Sequence, residues 1–338
     1  MNERMPFIDF AKGFSIFSII MYHYCLPLDF GWLFKQIISF GGTGIHLFFF
    51  LSGFGLGLGR KTPLLAFYKR RFLKILLPYY VFVTIVFLIN LVFPVYPGSG
   101  LKTWLSHIFL YKMFSNELII SFGFQLWFIS TIIQFYLFFP IMRWIKEKTG
   151  VLNFAIIAIL VSFFYIVVIT FIGRNPERAW NSFFLAFFWE FGLGFLLANS
   201  QKPKWFLNLK TWQYIVALFF GVAFMGILNN LFGQTGRLFN DFPALFAFIS
   251  FVVLVYRICN YRSFKWLESF FLAIGKVSFD IYLVHYFFFS VLFLFLNQYK
   301  IAYSPYFVPL LFLFVYTVAL GFRWLTKRIE NKINLHTS

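Results

Sequence analysis

Long apolar runs alternate with short polar, glycine- or proline-bearing breaks along the whole chain. The runs near 7–26, 40–59, 75–94, 125–143, 152–172, 180–198, 212–231, 242–258, 270–296 and 306–325 approach the ~20 residues a helix needs to cross a bilayer. The pattern predicts an all-α polytopic integral membrane protein with about ten transmembrane helices. The stretch 95–124 departs from it. Pro97, Gly98 and Gly100 interrupt the stretch, and an amphipathic piece follows around Trp104–Met113. A loop with an interfacial helix is predicted there. No soluble domain, low-complexity tract or internal repeat stands out, so residues 1–338 are expected to form a single membrane domain, with no appended soluble domain.

Composition supports the membrane assignment. The chain is 61% hydrophobic and 12% charged. A soluble domain of this length hides only about 75% of the surface its unfolded chain exposes, so lipid must cover the rest. Charge then orients the runs. Alternating from a cytosolic N-terminus, 22 of the 29 Lys and Arg fall at cytosolic ends, among them Arg4, Lys12, Arg60, Lys202 and Lys204. The outer loops keep seven: Lys35, Lys102, Lys112, Arg174, Arg178, Arg237 and Lys300. This bias predicts a multi-pass protein of the cell (inner or plasma) membrane with both termini cytosolic. It also accounts for the net charge of +18 without nucleic acid as a partner. The first run lacks a small-x-small site, so no cleavable signal is expected. Cys25 and Cys259 fall on opposite faces in this topology, which supports neither a disulfide nor a metal framework.

Ionisable groups inside apolar runs are the candidates for chemistry, because lipid penalises them. Lys12 and His23 are eleven residues apart, so a helix sets them on one face ~16 Å apart along its axis. Lys12 can also snorkel to the headgroups, and His23 can be an interfacial hydrogen-bonded residue beside Tyr22 and Tyr24. In GGTGIHLFFFLSGFGLGLG (41–59) the glycines suit close helix approach. His46 there is placed to face His23 if the first two spans form a hairpin. FYKRRFLKILLPYY (67–80) clusters Lys69, Arg70, Arg71 and Lys74, with Arg71 and Lys74 at i, i+3. Positive-inside bias explains the number of charges, and a polyphosphate ligand would suit their clustering. Ser130 and Gln134 stand at i, i+4 and read either as interhelical glue or as pore lining. Glu190, in FWEFGLG, has no neighbouring base, so it is protonated, paired across helices, or lining water. Ser278, Tyr282 and His285 share one helical face, with Asp280 off it.

Taken in order, these motifs resemble the acyltransferase-3 family of membrane O-acyltransferases. The carriers are DFAKG with Asp9 and Lys12 followed by His23, GGTGIHLFFFLSGF, RRFLKILLPYY, LWFISTIIQFYLFFP, FWEFGLG and VSFDIYLVH, from residue 7 to about 290. Five positions depart from the family pattern. Lys12 and Lys74 stand for arginines, which removes the planar fork for phosphate. His46 stands where Asp is frequent, and Ile132 and Ile133 where Glu-Glu is. The resemblance implies transfer of an acyl group, expected to be acetyl, from acetyl-CoA to a hydroxyl of a surface glycan or glycolipid. CoA phosphates would meet Arg70, Arg71 and Lys74, with Lys12 near the thioester path. His23 would serve as general base or acyl carrier, and Glu190, Tyr282 and His285 would orient or relay. No metal is implied. The alternative is an exporter or flippase of polysaccharide units, its buried charges lining a conduit.

Overall fold

A computed structural model describes residues 5–59, 61–198 and 205–335; Arg4, Arg60, Lys202 and Lys204 lie outside them. The described residues are helical, with no strand. In chain order the helices are α1 (Pro6–Cys25), α2 (Trp32–Gly41), α3 (Gly44–Gly57), α4 (Leu64–Arg71), α5 (Leu77–Val92), α6 (Leu101–Ile108), α7 (Trp127–Thr149) and α8 (Val151–Phe171). They continue with α9 (Arg178–Asn181), α10 (Phe188–Ala198), α11 (Thr211–Phe239), α12 (Asp241–Cys259), α13 (Lys265–Lys276), α14 (Ser278–Gln298) and α15 (Phe307–Leu335). Eight helical stretches among the described residues are long and apolar enough to cross a membrane.

The differences from the expected ten runs are local. The run at 40–59 is the second half of a longer stretch, Trp32–Gly57, in which α2 and α3 meet at Gly42-Thr43. In 180–198 only Phe188–Ala198 forms a long helix, because residues 183–187 are turns. The run 270–296 breaks at Val277 between α13 and α14. α1 and α10 are not among the eight: α1 carries Asp9, Lys12 and His23 in 20 residues, and α10 has 11. In 95–124 the amphipathic helix forms over Leu101–Ile108 and a 3-10 turn over Tyr111–Phe114.

Glycine decides which helices touch by backbone. A Cβ on Gly53 of α3 would lie 2.0 Å from the Phe191 carbonyl oxygen, and one on Gly194 of α10 would lie 2.0 Å from that of Phe50. The same exchange joins α1 to α13, where a Cβ on Gly13 would lie 1.9 Å from the Phe271 oxygen and one on Gly275 would lie 1.8 Å from that of Asp9. Without hydrophobic drive between helices in lipid, such close approach is a principal source of association. Aromatic rings fill the remaining space, as where Phe135 stacks on Phe191 at 4.4 Å. α11 lies at the periphery, with only 6% of its most apolar window buried against 61% for the α7 stretch. The α1–α13 contact also sets Lys12 at the same end of the bundle as Lys276, here termed the basic end.

Candidate functional site

Two histidine centres form where helices distant in sequence converge. In the first, α1 and α14 bring His23 Nδ1 to 3.1 Å from His285 Nε2. His285 Nδ1 in turn lies 2.8 Å from the Tyr282 carbonyl oxygen. A carbonyl only accepts, so His285 carries its proton on Nδ1, and Nε2 of the neutral ring is an acceptor. His23 must then donate from Nδ1. That leaves the His23 Nε2 lone pair as the end of the chain.

Neighbouring side chains hold this pair in place. Tyr24 donates its hydroxyl hydrogen to the His285 carbonyl at 3.0 Å, and Tyr303 does the same to the Tyr24 carbonyl at 2.8 Å. Tyr282 donates to the Gln125 carbonyl, and Gln125 Nε2 to that of Leu283 at 3.2 Å. His285 is buried, whereas His23 is only part-buried and meets the Tyr286 ring edge-on at 5.3 Å. The face expected to hold Ser278, Tyr282 and His285 is therefore used at its last two positions. Ser278 is the first residue of α14 and is buried.

The expected meeting of His46 with His23 does not occur: each binds other partners. His46, on the first turn of α3, has Nδ1 at 2.7 Å from Glu190 Oε1 and Nε2 at 3.4 Å from Asp241 Oδ1. Glu190 is thus paired across helices, held by the glycine contact between α3 and α10. Asp241 opens α12, and no sequence motif announces it. Arg178, whose charge acts on Asp241, lies over the Phe124 and Trp127 rings at 4.9 and 5.0 Å. Sequence reasoning counted Arg178 only as a loop charge. One potential ligand atom from each of His46, Glu190 and Asp241 lies within 4.8 Å of the other two.

At the basic end Arg71 and Lys74 line one cleft, but the helix between them is not regular. Phe72–Leu76 form a π-turn. Pro78 follows it, and in an α-helix its ring would clash with the Lys74 carbonyl, a strain the wider turn relieves. Arg70 and Lys74 now line two clefts at once. One, about 290 Å³, adds Arg71, Lys61, Arg143 and Lys146. The other, about 570 Å³, adds Lys69, Lys276, Arg323 and Lys327, with Asp280 and Glu330 as its acids. Arg71 packs its guanidinium over Phe67 and Tyr136 at 5.5 and 5.2 Å, and its buried Nε has no hydrogen-bond partner among the described residues. Lys12 is part-buried on α1.

Gln134 accepts from the Phe184 amide at 3.1 Å and donates toward Met113 Sδ at 3.6 Å, so it ties α7 to the turn before α10. Ser130 is buried beside it, with its Oγ unpartnered among the described residues. A separate polar set braces the 95–124 segment. Lys112 Nζ donates to the Ile119 and Leu126 carbonyls at 3.0 and 3.2 Å, and burial pulls its ammonium down to about 7. His107 sits between the Tyr79 hydroxyl (2.7 Å) and Ser121 Oγ (2.9 Å), and burial lowers its imidazole well below the usual range.

Residues 5–325 match the acyltransferase-3 family model, described as an acyltransferase domain. No curated protein and no solved structure matches the chain.

Proposed function

The chain belongs to the acyltransferase-3 family, and on that premise we propose that it is an O-acetyltransferase. It moves acetyl from acetyl-CoA to a hydroxyl of a glycan or glycolipid at the surface of the cell membrane. The observation that carries this reading is the hydrogen-bond chain from the Tyr282 carbonyl through His285 to His23. It leaves one imidazole nitrogen oriented, unprotonated and reachable.

His23 Nε2 takes the proton of the acceptor hydroxyl as its oxygen attacks the thioester carbonyl. The C–S bond breaks, and the imidazolium returns the proton to the departing thiolate, giving an ester and free CoA thiol. A base whose ordinary range is near neutral suits both transfers. His285 acts as a positioning residue: it fixes the His23 tautomer as a carboxylate does in a Ser-His-Asp triad. Arg70, Arg71 and Lys74 take the CoA phosphates from the cytosol. The α1 face from Lys12 to His23, which the charge bias turns outward, gives the thioester arm of bound CoA a path to this base.

The test is mass spectrometry of surface glycans from cells with the protein, without it, and with His23→Ala. An acetyl increment present with the wild type and missing from the other two supports the assignment. Acetylation by His23→Ala at the wild-type level sinks it.

A further inference from the structure

We propose that His46 and Asp241 bind a divalent cation of the zinc class, with Glu190 supporting the imidazole from behind. Neither acyl transfer nor the role of His23 enters this inference, and it revises the metal-free expectation from the sequence.

The two contacts of His46 differ in kind. Nδ1 to Glu190 Oε1, at 2.7 Å, is a strong hydrogen bond, and a carboxylate accepts it. The imidazole proton therefore sits on Nδ1 and the Nε2 lone pair points at Asp241. Nε2 to Asp241 Oδ1, at 3.4 Å, is too long for a good hydrogen bond. Two electron-rich atoms thus face each other across a gap. That gap matches the ~3.3–3.4 Å between two ligands of a tetrahedral ion bound at about 2.0–2.1 Å to each. Metal-bound histidines characteristically give their other N–H to a carboxylate, which is the part Glu190 plays.

A second observation points the same way. Glu190 is fully buried, and its Oε2 has no hydrogen-bond partner among the described residues. A buried carboxylate with an unmet oxygen calls for nearby positive charge. Arg178 supplies some on the Asp241 side, but among the described residues Glu190 is partnered only by the neutral imidazole. Imidazole with carboxylate oxygen favours zinc over calcium or magnesium. Asp241 keeps 14% of its side chain exposed, which gives an ion a way in. Two protein ligands leave the remaining positions to water or to an oxygen of a bound molecule.

The experiment uses the full chain, purified in detergent with any affinity tag removed and stripped with chelator. Zn²⁺ is added, free ion is removed by gel filtration, and the retained metal is measured by plasma mass spectrometry. The wild type should keep about one ion per chain. Asp241→Asn and His46→Gln should weaken binding at least about tenfold, and Glu190→Gln by about 10–100-fold. His23→Gln should leave it unchanged. Asp241→Asn, at the mouth of the cluster and isosteric, decides the matter if His46→Gln fails to elute as a single species. A wild type that retains no zinc, or an Asp241→Asn protein that retains as much as wild type, overturns the proposal.

Discussion

The two histidine centres are built from the same residue type and end differently. At His23 the hydrogen-bond chain ends, among the described residues, in a ring nitrogen without a partner, on a part-buried ring. At His46 both nitrogens face carboxylates inside a buried cluster. On the proposed reading the first exchanges a proton with something that arrives, and the second holds charge in place. What separates them is the partner behind the ring: a backbone carbonyl through a second imidazole in one case, two acids in the other. Reactivity here follows from what the second nitrogen is given.

The largest expected effect tests the free end. Removing the His23 imidazole should lower acetyl transfer by ~10²–10⁴-fold, the usual worth of a positioned general base. His285→Gln should cost less, roughly 10–100-fold, and should move the acidic limb of the pH–rate profile, because it alters the tautomer and basicity of His23. An unmoved profile would reduce His285 to packing.

The next effect separates the frame from the chemistry. Gly194→Val forces a side chain into the Phe50 carbonyl and pries α3 from α10, where His46 and Glu190 meet. A loss of about 3 kcal/mol or more is expected, seen as a lower melting temperature in detergent. Gly55→Val, with nothing within 4 Å of its Cβ, should leave the melt close to wild type. Equal effects at the two glycines would contradict the backbone-contact reading.

At the basic end, Arg71→Lys should raise the KM for acetyl-CoA about tenfold with little change in kcat. It keeps the charge but loses the stack on Phe67 and Tyr136. The smallest effect concerns Lys112. Its ammonium titrates near 7 in the fold against 10.5 when free, so between those values the unfolded segment binds the extra proton. Protection of the 95–124 segment should therefore rise as pH goes from about 7 toward 10.5, and level off below 7. The neutral amine still has two N–H groups for its two carbonyls. Hydrogen exchange of the Ile119–Leu126 amides measures this, and Lys112→Met should abolish the slope.

The helices were legible because each apolar run had to be one, and the Lys12–His23 face followed from spacing along an unbroken α1. The breaks were not legible. Gly42-Thr43, the turns at 183–187 and Val277 sit inside runs that stay apolar, and hydropathy does not register a change of direction. The ionisable residues themselves stood out, since lipid makes them conspicuous. Their pairing did not: His46 with Glu190 and Asp241 is a tertiary fact spread over three helices. Asp241 and Arg178 escaped notice because loop-edge charges are ordinary by sequence. For Gln134 the sequence leaves interhelical glue and pore lining open, and its contact with the Phe184 amide is of the first kind.

The π-turn at Phe72–Leu76 has a consequence for register. A π-turn amounts to one residue inserted into an α-helix, and each residue turns an α-helix by about 100°. Excising a single residue there, for example Phe72, would restore plain α-helical winding and leave α4 and α5 near their present relative rotation. The same excision inside a regular α-helix would rotate one flank against the other by about 100°. The π-turn thus makes the part of the chain that carries cations to both clefts tolerant of a change in its own length.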